Sequence, residues 1–207
     1  SKGAGLLQLS SGEIELKPLE QGALNAVNNS DAAALELILS KGVSPNLIID
    51  IYGNTLLSRL FENWSAYDSK RILVFDTLMK AGANLNIANK KGITPAYIAA
   101  VNFYIPLQVL EVLKSKGANF SAAPKCTKQD KECIQNTTPL LLIAKNPSMH
   151  SLIVPSNNIN YIQNVVEHFD YLLLNGNINA SDGTGQTALH YAAVKGYQNI
   201  IKSMLEA

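Results

Sequence analysis

The sequence predicts an all-α protein built from about five repeated helical hairpins. Three observations support this fold class. A threonine able to N-cap a helix opens a run of small and apolar residues at four places. A predicted helix end with a lysine or another polar residue in its last turn, followed by a glycine, also recurs four times. In the fourth hairpin the apolar residues follow helical spacing, which gives it a face to bury against its neighbours.

The predicted helix starts share one outline. It reads TALHYAA at 187–193, TPAYIAA at 94–100, TPLLLIA at 138–144 and, more weakly, TLLSRLF at 55–61. A proline directly after the threonine suits the first turn of a helix. The small residues that follow would let each helix lie close to its neighbours.

The predicted helix ends share a second outline. It reads LILSKGVSPN at 37–46, LMKAGANLN at 78–86, VLKSKGANFS at 112–121 and LLLNGNINA at 172–180. We expect the glycines at 42, 82, 117 and 176 to adopt a left-handed conformation after the helix. An asparagine two to four residues later is expected to close the following turn.

Together these outlines resemble the ankyrin-repeat family, whose signature is T-P-L-H-x-A with a period of about 33 residues. The resemblance covers about residues 20–207 and is strongest in the last copy. It implies an ankyrin-repeat solenoid with finger loops protruding between the hairpins. We expect one ankyrin-repeat domain at 18–207, with an N-terminal segment at 1–17 covering its first repeat. The predicted repeats span 18–49, 50–87, 88–122, 134–180 and 181–207.

Two predicted repeats have particular features. The first lacks the threonine–proline start, and Gln21-Gly-Ala-Leu24 stands in its place. In the fourth repeat the three polar residues Glu167, His168 and Asp170 are predicted to point away from the core, with His168 on a solvated face. The apolar face of that helix is predicted to contain Ile162, Val165, Val166, Phe169, Leu172 and Leu173.

The repeats are longer than the family period. Successive threonines at 55, 94, 138 and 187 lie 39, 44 and 49 residues apart. The extra residues fall at about 63–69, at 146–160 and in an inserted finger at 122–135. Long loops on a rigid scaffold often carry function. The alternative is that they are tolerated surface insertions, because the cost of loop closure rises slowly with length.

The inserted finger contains both cysteines of the chain. Cys126 and Cys133 bracket six residues, among them the candidate partner contacts Lys128, Asp130 and Lys131. A disulfide would pin this loop and would imply an oxidising compartment such as the bacterial periplasm. A zinc site lacks the usual additional ligands, since no CxxC, CxxH or nearby pair of histidines is present. Free thiols remain an alternative.

The family resemblance places a binding groove on the fingers and the first helix of each hairpin. Tyrosine, tryptophan and arginine are common hot-spot residues in interfaces. The alternative for Trp64 and Phe103, which stand where the family has glycine, is packing beneath the enlarged repeats. We expect Tyr52 and Tyr104 to be exposed. The predicted partner-binding residues on these elements are Tyr52, Arg59, Trp64, Phe103, Tyr104, Tyr191 and Tyr197.

Several kinds of chemistry lack support in the sequence. The formal net charge is +1 and no run of lysine and arginine is present, which argues against a nucleic-acid partner. No apolar run is long enough to predict membrane insertion. No HExxH or GxSxG occurs, and the glycines at 183 and 185 lack the lysine of a phosphate loop, so they predict a finger turn. His190 is expected to be structural. We therefore expect a non-catalytic protein without a cofactor.

These observations favour a protein that masks or inhibits a folded partner and is monomeric when free. The length, the irregular repeats and the finger with two cysteines resemble the small ankyrin proteins that protect predatory bacteria from their own cell-wall endopeptidases. That resemblance implies a peptidoglycan hydrolase as partner and a periplasmic location. A cytosolic scaffold or an effector injected into a host cytosol is one alternative. An enzyme, or an ankyrin fragment cut from one, is another, because the sequence ends inside a repeat at Ala207.

Overall fold

A computed structural model of the protein describes residues 14–65, 68–124, 137–145 and 159–207, excluding the side chains of 159–163 and 199. Within these ranges the chain forms ten α-helices and no strand, which confirms the all-α prediction. None of the described helices is both long and apolar enough to cross a membrane. The helices are α1 Pro18–Asn28, α2 Ala32–Ser40, α3 Leu56–Glu62, α4 Lys70–Lys80, α5 Pro95–Val101, α6 Leu107–Ser115, α7 Pro139–Lys145, α8 Ile159–Asn175, α9 Ala188–Lys195 and α10 Gln198–Glu206.

The helices pack as successive hairpins. Each odd-numbered helix contacts the even-numbered helix that follows it, from the pair α1 and α2 to the pair α9 and α10. The odd-numbered helices, here called the inner helices, also contact one another in chain order. Since one hairpin cannot enclose its own apolar face, this stacking creates one continuous core along the array.

The predicted threonine caps are present at the starts of the inner helices. Each threonine hydroxyl accepts a hydrogen bond from the backbone N–H three residues later, which satisfies one of the free donors at a helix start. The distances are 3.2 Å for Thr55 and Ser58, 3.1 Å for Thr94 and Tyr97, and 3.3 Å for Thr138 and Leu141. At Thr187 the His190 ring takes part instead, because its Nδ1 accepts from the Thr187 backbone N–H at 3.2 Å.

The first helix begins earlier than its predicted start at Gln21. Pro18 is the first helical residue, and Lys17 occupies the position that threonine has in the other repeats. The backbone N–H of Lys17 donates to the Glu20 carboxylate at 2.9 Å, as in a capping box. The repeat therefore does have a proline start, and Lys17-Pro18 with Glu20 is the sequence signal that would have located it.

Three of the four glycine predictions are confirmed. Gly42, Gly82 and Gly117 have φ values of 94°, 87° and 88°, in the left-handed region. The prediction for Gly176 is wrong, because this residue is not among the described glycines with positive φ. Its backbone N–H donates to Leu172 O at 2.8 Å, and a Cβ at this position would lie only 2.6 Å from that same oxygen. Close backbone approach, rather than a left-handed conformation, therefore requires glycine here.

This contact makes Gly176→Ala a destabilising change. We expect it to lower the free energy of unfolding by about 1–3 kcal/mol, the usual effect of forcing extra atoms into a packed site. Urea denaturation followed by circular dichroism would measure the change. Gly183→Ala is the matched control, because a Cβ there meets no atom within 4 Å and its φ is not positive. A loss of equal size in both variants would contradict this explanation.

His168 corrects a further prediction. The sequence suggests a solvated face, whereas the side chain is fully buried. Its Nε2 lies 2.8 Å from Ile105 O and its Nδ1 lies 3.3 Å from Ala100 O. The ring also packs edge-on against Phe103, with 5.6 Å between the ring centroids. Helix α8 therefore uses a polar side chain to bind the turn between α5 and α6 of the preceding hairpin.

The remaining residues of α8 follow the predicted apolar face with one exception. Val165, Phe169, Leu172 and Leu173 are buried, whereas Val166 is exposed. His168, two residues after Val166, is buried instead. The buried stripe is therefore rotated around the helix axis relative to the predicted one. The predicted contribution of Ile162 concerns a side chain outside the described residues.

Both ends of the segment 125–136, which lies outside the described residues, connect to buried positions. Pro124 is buried on one side and Thr137 on the other. The Tyr97 hydroxyl on α5 donates to Thr137 O at 3.0 Å. Burial raises the pKa of Tyr97 above its ordinary value, so the hydroxyl keeps its proton and remains a donor.

Candidate protein-binding surface

The segment between α2 and α3 forms a compact finger turn, finger 2 (residues 46–55). One antiparallel bridge joins Ile48 to Thr55 at its base. The Asp50 carboxylate accepts hydrogen bonds from the backbone N–H groups of Tyr52 and Asn54, both at 3.0 Å. Gly53 supplies the positive φ of 83° that closes the turn. These contacts fix the backbone that carries Tyr52.

The next finger, finger 3 (residues 84–94), has the same construction and is bonded to finger 2. The Asn89 side-chain oxygen accepts from Lys91 N and Ile93 N, both at 3.0 Å. Its amide nitrogen donates to the Asn54 side-chain oxygen at 2.9 Å, and Lys90 N donates to Tyr52 O at 2.8 Å. The two fingers therefore form a single hydrogen-bonded platform.

The last finger, finger 5 (residues 177–187), repeats this turn with Asp182. Its Oδ1 accepts from Thr184 N at 2.9 Å and from Gln186 N at 3.1 Å, and Gly185 has a φ of 80°. The glycine-containing stretch after Asp182 is thus a finger turn, as predicted, and not a phosphate loop. The shared signal is an Asp or Asn five residues before the threonine at 55, 94 and 187, and this spacing in the sequence would locate the finger turns.

Asp182 also joins the last hairpin to the one before it. Its Oδ2 accepts from the Tyr191 hydroxyl at 2.7 Å and from Lys145 Nζ at 2.6 Å. Lys145 Nζ lies 5.0 Å from the centre of the Tyr191 ring, in a cation–π contact. Hydrogen bonds from Lys145, Thr184 and Tyr191 hold the pKa of Asp182 well below its usual range, so its carboxylate stays ionised.

A row of side chains crosses the inner helices beside the fingers. Each member lies four residues after the threonine position, and each is half-buried. Arg59 pairs with Asp50 at 3.4 Å and lies 3.9 Å from Glu62, so finger 2 holds its guanidinium. Burial raises the pKa of Glu62 despite the neighbouring Arg59 charge. The row consists of Arg59, Ile98, Leu142 and Tyr191.

The other predicted tyrosines lie at opposite ends of the hairpins. Tyr52 is 49% exposed on finger 2, and Tyr104 is 41% exposed in the turn between α5 and α6. A finger precedes the start of an inner helix and this turn follows its end, so the two tyrosines belong to different edges of the array. The structure therefore brings Tyr52 near Arg59 but separates Tyr104 from both.

Three predicted contact residues belong to the core instead. Trp64, Phe103 and Tyr197 are only 4%, 6% and 2% exposed. Trp64 packs on Phe61 with ring centroids 6.2 Å apart, and Phe103 packs on His168. Trp64 and Phe103 thus fill the space beneath the helix turns, as in the alternative considered for them, and all three rings are buried rather than exposed.

The remaining predicted site residues belong to the inserted finger. Cys126, Cys133, Lys128, Asp130 and Lys131 all lie outside the described residues. In the described part of the chain, no group of three or more metal-binding side chains comes together.

Comparison with known families supports this geometry. The family model for the ankyrin repeat matches residues 184–207, which comprise the end of finger 5 together with α9 and α10. Hydrogen-bonded fingers and stacked helical hairpins accompany this match through the rest of the described chain. Ankyrin repeats are typically non-catalytic modules that bind proteins. The last hairpin thus matches the ankyrin-repeat family model, and the described part of the chain has the all-α fold of stacked ankyrin-type hairpins.

Proposed function

We propose that this protein masks a folded partner with the platform of fingers 2 and 3 and the adjoining row on the inner helices. The observation that carries the proposal is the bonding of Tyr52 O to Lys90 N and of Asn54 to Asn89. These bonds hold an exposed tyrosine on a preformed surface. A preformed surface loses little conformational entropy on association, which leaves more of the contact energy for affinity.

The proposed partner is a bacterial cell-wall peptidoglycan endopeptidase, against which the protein would serve self-protection. A protruding finger is suited to entering or covering an active-site cleft. The inserted finger at 122–135, with Lys128, Asp130 and Lys131, is proposed to take part in this contact. The proposal includes a periplasmic location, since two cysteines within one finger suit an oxidising compartment.

Inhibition assays test this proposal directly. Peptidoglycan endopeptidases encoded by the source organism would be purified and titrated with the protein, and release of labelled muropeptides would be measured. We expect stoichiometric inhibition of at least one enzyme. Tyr52→Ala should weaken it about tenfold or more, as expected for a hot-spot aromatic. Tyr104→Ala is the matched control, because it removes an exposed tyrosine from the opposite edge.

The possible outcomes distinguish an error in the proposed target from an error in the proposed binding surface. If no endopeptidase is inhibited, the cell-wall target is wrong, and a cytosolic scaffold or an injected effector becomes the better hypothesis. If an enzyme is inhibited but both tyrosine variants remain as potent as the original protein, the finger platform is not the binding surface.

A thiol measurement tests the proposed compartment. We expect unreduced, denatured protein from its native host to contain no free thiol. Its mass should be lower than that of the reduced form by two hydrogen atoms, because Cys126 and Cys133 are bridged in this proposal. Reduced protein provides the control. Two titratable thiols would remove the argument for export and direct the search to cytosolic partners.

A further inference from the structure

The exposed charges of the finger edge have a single sign. We define this edge by the finger segments 41–55, 80–94, 114–124 and 176–187, each running from a helix end towards the next inner helix. Within these described segments the only carboxylates are those of Asp50 and Asp182, and both are buried. Its basic residues are Lys41, Lys80, Lys90, Lys91, Lys114 and Lys116.

The two acidic residues are already neutralised by cations of the inner helices. Asp50 pairs with Arg59 at 3.4 Å, and Asp182 pairs with Lys145 at 2.6 Å. Both carboxylates also fold their own finger turns. They therefore contribute no exposed negative charge that could offset the lysines.

The lysines are available at the surface. Lys41, Lys80, Lys90, Lys114 and Lys116 are exposed, and none of these five forms an ion pair within the described ranges. Favourable interaction with helix dipoles explains a lysine at the end of an even-numbered helix. It does not explain Lys90 and Lys91, which lie at the tip of finger 3, outside any helix.

Hydrogen bonds between repeats make part of this edge continuous. The Asn46 side-chain oxygen accepts from Asn84 N at 2.7 Å, which joins the loop after Lys41 to the loop after Lys80. Lys90 N donates to Tyr52 O at 2.8 Å. Ile48 and Tyr52, two of the exposed large apolar residues of the described chain, therefore share their edge with lysines from both repeats.

We infer that the finger edge binds an acidic face of a folded protein, with Tyr52 as the apolar anchor and the surrounding lysines as its charged rim. This inference rests on the proposed function and specifies the chemistry of the partner. Complementary rim charges accelerate encounter and exclude partners of the wrong sign, whereas a buried aromatic supplies most of the affinity. The partner should therefore present carboxylates around an apolar depression.

The ion pairs of the two arginines favour a protein partner over a nucleic-acid partner. The chain has two arginines, and ion pairs to Asp50 and Asp68 hold both. Neither side chain is free to form the bidentate contact that makes arginine effective on phosphate. The exposed Ile48 and Tyr52 side chains also suit an apolar contact with a protein better than a phosphate backbone.

The test uses the full chain and a short polyglutamate peptide, with a DNA duplex and phosphatidylserine vesicles as competing probes. Backbone amide NMR shifts would locate peptide binding, and titration would measure its affinity. We expect shifts confined to residues 41–55 and 80–94. The triple variant Lys41→Gln, Lys80→Gln and Lys90→Gln should weaken binding about tenfold, since each surface charge contributes modestly.

The control removes two exposed lysines from other surfaces, Lys70 and Lys202, each replaced by glutamine. It should change peptide affinity less than about twofold. Equal weakening in the triple variant and in this control would overturn the inference, as would tighter binding of DNA or vesicles through the same lysines. The peptide assay requires no endopeptidase. Its failure would therefore leave the proposed target standing, and failure of enzyme inhibition alone would leave the acidic-face inference standing.

Discussion

Replacement of His168 by alanine is expected to lower the free energy of unfolding by about 3 kcal/mol. The change removes a ring that packs on Phe103. It also leaves Ile105 O, 2.8 Å from Nε2, without the hydrogen bond that the single N–H of the neutral ring donates. A buried carbonyl without a hydrogen bond adds a desolvation cost to the cavity cost. Urea denaturation at neutral pH would measure the loss. Leu174→Ala on the same helix, at a side chain that is 79% exposed, should change stability by less than about 0.5 kcal/mol.

The pH dependence of stability gives a second test of His168. Burial lowers the pKa of this histidine below its ordinary value, although its hydrogen bonds to Ile105 and Ala100 oppose the shift. The unfolded chain therefore binds a proton more readily, and stability should fall as the pH drops below about 6.5. His168→Gln removes the titration, so its profile should be flatter in this window. Parallel profiles for both proteins would show that His168 is not responsible.

Lys145→Met is expected to loosen the last hairpin without unfolding the others. The substitution leaves the Asp182 carboxylate, only 6% exposed, without its cation. Losing one partner of a fully buried pair costs about 3–5 kcal/mol, but the Lys145 side chain is 28% exposed, so we expect about 1–3 kcal/mol. Hydrogen exchange of the amides in α9 and α10 should accelerate about tenfold or more, with α3 unchanged.

The matched control is Lys202→Met. Its ion pair with Glu206 is exposed and spans 3.9 Å, so the same substitution should have little effect. Acidification should resemble Lys145→Met, since the depressed pKa of Asp182 stabilises the fold above about pH 4 and this contribution is lost as the pH falls further. Uniform acceleration of exchange across all hairpins would refute a local role for this pair.

Much of the fold could be predicted because its signals are local. Threonine caps and the left-handed glycines at 42, 82 and 117 depend on a few neighbouring residues, and the structure confirms them. The same reasoning failed at Gly176, where the decisive atom is Leu172 O and the turn takes another form. It also failed at Lys17, because a charged residue replaces the usual cap and only the proline and Glu20 reveal the helix start.

The candidate surface was harder to predict because burial depends on contacts between repeats. His168 is polar, yet a hydrogen bond to a carbonyl oxygen of another hairpin makes its burial favourable. Trp64 and Phe103 lie at helix ends, where sequence alone does not distinguish an exposed anchor from a core residue. The exposure of Tyr52 and Tyr104 agrees with expectation, since both are in turns. The row formed by Arg59, Ile98, Leu142 and Tyr191 follows simply from counting four residues past each threonine position.

The anchoring of Pro124 and Thr137 has a consequence for protein engineering. Both residues are buried, and Tyr97 on a neighbouring helix bonds directly to Thr137 O. Replacement of residues 125–136 by a foreign peptide would leave these two attachment points in place, and the cost of loop closure changes slowly with peptide length. We therefore expect the array to accept peptides of varied sequence and length between these two points with small changes in stability.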